Sequence, residues 1–136
     1  MELSDISFVA SMDEVRARHP AMMSRASDKV MRRLDHHCRR IIEHSTFCVI
    51  ATHGPSGADV SPRGDPAGFL KVLDDEHLLL PDRIGNNRFD SMANLFENPA
   101  IGMLILVPGM SEVLRVNGNG RVTDDARLLE PCAVQG

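Results

Sequence analysis

A chain of 136 residues has the length of one domain, and a compact chain of that size buries roughly two-thirds of its unfolded surface, enough for a real core. Apolar residues at 43% and charged residues at 25% exclude a disordered or fibrous protein. A net charge of −4 argues against a general nucleic-acid binder, which needs surplus cations to displace counterions.

Ser11-Met12-Asp13-Glu14 has capping-box spacing and opens a short helix that Pro20 should end. A longer helix is expected at about residues 27–44. Val30, Leu34, Cys38, Ile41 and Ile42 recur there at helical spacing, with Arg32, Arg33, Asp35, Arg39, Arg40 and Glu43 on the other side. From Phe47 the period changes to short β-rich runs separated by turn clusters, as in an antiparallel sheet or small barrel. Strands are expected at 47–52, 58–62, 69–73 and 77–80, with turns at 53–57 and 74–76 and a loop at 63–68. A helix-like segment at 89–96 follows, Asn98-Pro99 punctuates, and 100–107 is a continuous apolar run suited to a buried strand. Residues 112–116 alternate. The Asn117-Gly118-Asn119-Gly120 stretch then reads either as a hairpin turn or as one long strand through residue 123 bent by a glycine bulge. A helical turn at 124–130 closes the chain.

The most informative segment is Asp82-Arg83-Ile84-Gly85-Asn86-Asn87-Arg88, at a strand-to-helix junction. Free N–H groups and the helix dipole favour negative charge there, and two arginines and two side-chain amides are added. A phosphate is the natural guest, with Asn86 or Asn87 capping the helix and charge-assisted bonds of roughly 1.5–3 kcal/mol each. The same residues also suit an ordinary asparagine-capped helix with solvent-facing arginines. Arg63, in Ser61-Pro62-Arg63-Gly64-Asp65 just past a short strand, could reach the same place, or could form a solvated pair with Asp65. Of 15 basic residues only Lys29 and Lys71 are lysine, so the chain favours the planar fork that grips phosphate.

Other chemistry is poorly supported. His36-His37-Cys38 lacks an i, i+4 histidine pair or a second cysteine, so no metal site is expected. Cys38 and Cys48 fall at positions the pattern buries, which argues against a nucleophile. With Cys132 they are odd in number and form no C-x-x-C pair, so a reducing cytoplasm is the expected location. No membrane span or signal peptide is seen. The eight methionines fill core gaps in a chain without Trp or Tyr, and any mechanism needing a phenol is excluded.

Ser-Pro-Arg-Gly-Asp at 61–65, Leu-Pro-Asp-Arg-Ile-Gly-Asn-Asn-Arg at 80–88, Asn98-Pro99 before an apolar strand and Leu-Arg-Val-Asn-Gly at 114–118 occur in an order that resembles the pyridoxamine 5′-phosphate oxidase-like superfamily. More narrowly, the chain is similar to a bacterial branch of FMN-dependent proteins, over about residues 25–130. The resemblance implies a mainly β (α+β) fold, an antiparallel split β-barrel with flanking helices. Residues 1–136 would form one domain, helical at about 11–45 and barrel at about 46–130. It further implies a homodimer with FMN at the subunit interface, while the charge balance and the lack of an apolar span leave no nucleic-acid or membrane partner expected. Arg63, Arg83, Asn87 and Arg88 would lie at the FMN phosphate, with Asn86 also cofactor-binding, and Asp59, Val60, Ser61, Pro81 and Asp82 along the ribityl chain and ring. The bent strand is favoured over the hairpin.

Two departures matter. The lysine-, tyrosine- and histidine-rich set with which true pyridoxamine phosphate oxidases hold their substrate has no counterpart here, so that reaction is not carried over. Relatives also continue into another barrel strand, so either a shortened member or a fragment with an open sheet edge is expected, an edge a partner subunit could cover. The leading expectation is an FMN-dependent oxidoreductase acting on a small molecule, with no catalytic side chain identifiable. The alternatives are a non-catalytic module for a flavin, haem or other anionic ligand, and a shortened member that has lost binding.

Overall fold

The computed structural model describes residues 3–19, 30–85 and 88–134. The chain divides into two compact units, Met1–Arg32 and Arg33–Gly136. The first contains a 3-10 turn, Leu3–Asp5, and helix α1, Met12–Ala17. Ser11 caps α1, its Oγ accepting the Glu14 N–H at 3.3 Å, as the capping-box spacing leads one to expect. Pro20 lies outside the described residues.

The second unit runs α2 (His36–His44), β1 (Phe47–Gly54), β2 (Gly57–Gly64), β3 (Lys71–Val72), β4 (Leu78–Leu79), α3 (Asp90–Glu97), β5 (Ala100–Leu106), β6 (Val113–Asn119) and α4 (Ala126–Leu129). A 3-10 turn, Glu130–Cys132, follows α4. The expected order of helix, four strands, helix and two strands is therefore present. β2, β1, β5 and β6 form one antiparallel sheet in that order, and β3 pairs with β4 in a separate ribbon. The large sheet is not closed: β2 and β6 are its edges.

Alternation along each strand splits the sheet into two faces. Cys48, Ile50 and Thr52 of β1 are buried on one face. Their partners in β5 are Ile105, Met103 and Ile101, which in turn face Leu114, Val116 and Gly118 of β6. Ile41 and Ile42 of α2, with Phe69 and Leu70, complete a core that Leu34, Val72, Leu78 and Leu80 surround. The opposite face carries Phe47, Val49, Val60, Leu104, Leu106 and Val113 and leaves much of this apolar surface exposed.

Several expectations are corrected. Residues 27–29 of the expected long helix lie outside the described residues, and of its remainder His36–His44 is helical while 30–35 are not. Asp35 has an extended backbone and its carboxylate accepts the Cys38 N–H at 2.8 Å, so the aspartate starts the helix rather than sitting within it. Upstream, the Leu34 N–H donates to the Asp75 carbonyl at 2.7 Å and Arg33 pairs with Glu76, so the β3–β4 turn holds this segment in place of helical bonds. Val30 is exposed and non-helical. β2 runs through Gly64, which moves Arg63 from a loop into the strand, opposite Cys48.

β3 and β4 are shorter than the runs at 69–73 and 77–80, because Phe69 and Leu70 enter the core before pairing begins. β5 is buried on one face only, with Ile105 inside and Leu104 exposed. Neither reading of 117–120 holds in full. β6 passes through Gly118 in unbroken register and stops at Asn119, without bulge or hairpin. Neither Gly118 nor Gly120 has the positive φ that a type I′ turn needs, and residues 121–123 are not strand.

Candidate functional site

Asp59, Ser61 and Arg63 alternate along β2 and share its core-side face, opposite Thr52, Ile50 and Cys48. Past the end of β2, Asp65 turns toward the loop after β4. There its Oδ2 accepts the Nε–H of Arg83 at 2.6 Å. Arg83 also donates through Nη1 to the Cys132 carbonyl at 2.7 Å, tying the closing turn to this loop. Arg83 and Asp65 are both largely shielded from water, so this ion pair keeps more of its strength than a surface pair would. Of the two alternatives for Arg63, the pair with Asp65 does not form. Arg63 donates through Nη1 to the Pro62 carbonyl at 2.9 Å and to Ser61 Oγ.

Helix α3 supplies the other wall. The Ser91 hydroxyl, almost fully buried, donates to Asp59 Oδ2 at 3.0 Å, and Asn94 Nδ2 donates to Thr52 Oγ1 at 3.0 Å. Gly54 makes this docking possible: a Cβ there would lie 2.0 Å from Asn94 Oδ1. The helix N-cap is Phe89, in the left-handed region at φ 55°, with no side-chain cap. A bulky residue held there stores roughly 1–3 kcal/mol of strain. Asn86 and Asn87, expected to provide the cap, lie outside the described residues.

Between these walls lies a cleft of about 470 Å³, within the usual range for small-ligand sites. Of the ten candidate residues, Asp59, Val60, Ser61, Arg63, Pro81, Asp82, Arg83 and Arg88 line it. Sequence reasoning missed Asp65, Phe89, Asp90 and Ser91, which line it too. The serine carries no sequence signal beyond its place in the first turn of α3. The aspartates could be located only through their partners, since Asp90 meets Arg88 Nε at 2.8 Å.

The arginines in this lining have the chemistry to take an oxyanion such as a phosphate. Arg83 spends Nε and one Nη1 hydrogen on the protein, which leaves the Nη2 side of its fork for an oxyanion. Cys48, behind Arg63, is not a nucleophile: burial pushes its thiol up to about 11, although the Arg63 charge pulls the other way. Cys38 is likewise buried and raised by desolvation. Among the described residues no three His, Cys, Asp or Glu side chains gather as a metal site would require, and no helix is long and apolar enough to cross a membrane.

An open antiparallel sheet flanked by helices, with an arginine-lined cleft between an edge strand and a helix N-terminus, defines an α+β protein of the split-barrel class. A family model described as pyridoxamine 5′-phosphate oxidase matches residues 34–135, and the chain belongs to this FMN-binding split-barrel superfamily. No curated protein and no solved structure gives a significant match.

Proposed function

We propose that the chain is an FMN-binding oxidoreductase that acts on a small molecule, with residues 1–136 working as one domain in the cytoplasm. The observation that carries this reading is the convergence of Arg63, Arg83 and Arg88, from two separate segments, on one cleft in a chain of this family. Arg63, Arg83, Arg88, Asn86 and Asn87 would hold the phosphate. Asp59, Val60, Ser61, Pro81 and Asp82 would border the ribityl chain and ring. When bound, FMN supplies hydride and single-electron chemistry, and the protein orients it and limits solvent access.

Homodimerisation belongs to the same proposal. Phe47, Val60, Leu104 and Val113 are exposed on one face of the sheet, and this apolar face would seat the second copy. Substitution Leu104→Glu should then yield monomers in sedimentation analysis.

The direct test is a titration of the purified chain with FMN, followed by flavin fluorescence. Saturable binding with one FMN per chain is expected, and protein that neither carries nor takes up FMN would reject the reading. A non-catalytic flavin binder is the second reading, favoured by the absence of His, Lys and Tyr among the described residues that line the cleft. Steady oxidation of a reduced nicotinamide by the FMN-loaded protein would decide for the enzyme.

A further inference from the structure

A second cleft, of about 210 Å³, lies between α2 and the chain leaving β5 and shares no residue with the first. Its lining is His37, Arg40, Ile41, His44, Val107 and Met110. The spacing 37, 40, 41 and 44 brings four of these onto one face of α2. Buried Ile41, with Val107 and the partly exposed Met110, makes an apolar floor.

The basic groups around this floor differ in their engagements. His37 Nε2 meets Glu112 Oε2 at 3.2 Å. His44 donates from Nδ1 to the Arg40 carbonyl at 2.8 Å, which leaves Nε2 as the nitrogen available to a guest. Arg33 and Arg39 are engaged by Glu76 and Asp75. Arg40 is exposed and has no acidic partner among the described residues.

We propose that this cleft binds a monocarboxylate with a short apolar tail. The Arg40 guanidinium takes the carboxylate as a planar fork, and the tail lies along Ile41, Val107 and Met110. A single charge is specified because one uncompensated cation is present and the site borders the C-terminal end of α2, whose dipole opposes a dianion.

The test uses the full chain, with octanoate as the probe and octanol and inorganic phosphate as controls, followed by amide chemical shifts. Octanoate should perturb residues 37–44 and 107–110, binding about tenfold or more tighter than either control. Arg40→Gln should weaken octanoate by about the same factor, and Met110→Ser should weaken it while leaving any phosphate response unchanged. Shifts outside these residues, equal binding of octanol or phosphate, or an unaffected Arg40→Gln variant would overturn the assignment. Circular dichroism of both variants confirms that they fold, which the surface position of Arg40 and the partial exposure of Met110 favour.

Discussion

Arg83 is held by Asp65, 18 residues earlier in the chain, through a 2.6 Å bond from its Nε–H to Oδ2. This pair fixes the loop after β4 against the end of β2, and through the Cys132 carbonyl it reaches the closing turn as well. Its removal should cost stability. Asp65→Ala leaves a shielded guanidinium without its anion and is expected to destabilise the fold by about 1–3 kcal/mol in urea unfolding. The Asp65→Ala, Arg83→Ala double variant should lose less than the two single losses added together, and strict additivity would show that the pair contributes nothing.

The phosphate assignment separates FMN from riboflavin. Arg63→Ala and Arg88→Ala should each weaken FMN about ten- to a hundredfold, the value of one charge-assisted bond, while riboflavin binding changes little. Equal losses for both ligands would remove these arginines from the phosphate.

Gly54 and Asn94 form a second testable couple. In Gly54→Ala the new methyl meets Asn94 Oδ1 and Cγ at 2.0 and 2.8 Å, so the amide must swing away from buried Thr52. A loss of about 1–3 kcal/mol is expected from the broken bond and the displaced helix. Adding Asn94→Ala to Gly54→Ala should cost less than Asn94→Ala costs alone, measured by a thermal double-mutant cycle.

Two carboxylates predict acid sensitivity. Asp35 is lowered from its ordinary value of 3.8 chiefly by the Cys38 backbone N–H, and Asp74 chiefly by that of Glu76, with the His77 side chain next. A group depressed in the folded state contributes its full stability above its unfolded value and loses it as pH falls through the folded one. Asp35→Ala and Asp74→Ala should therefore lower the thermal midpoint at pH 7, with the gap to the parent chain closing below about pH 3.8. A gap that stays constant from pH 7 to pH 2 would show that the ionised form is not what matters.

Much of the fold was legible because the signals were local. Ser11 capping α1, the switch to period two at Phe47, the breaks at Pro55-Ser56 and Asn98-Pro99, and the apolar β5 all depend on residues a few positions apart. Val30 and Leu34 fit the period of α2, but the Asp35 cap and the pairing of Leu34 with Asp75 start the helix at His36. Pro62 and Gly64 look like turn residues by local rules, yet β2 runs through both. An edge strand tolerates a proline, whose missing N–H takes nothing from a ladder if it faces outward.

For the cleft, the sequence by itself determined which arginines are at hand, Arg63, Arg83 and Arg88, with serine and aspartate nearby, at the ends of β-rich runs. It could not determine their partners. Whether Asp65 takes Arg63 or Arg83, whether Ser91 faces Asp59, and how closely α3 approaches Gly54 depend on distances between segments remote in the chain. Only packing fixes such distances, because side-chain bonds of a few kcal/mol follow the geometry that core burial has already imposed.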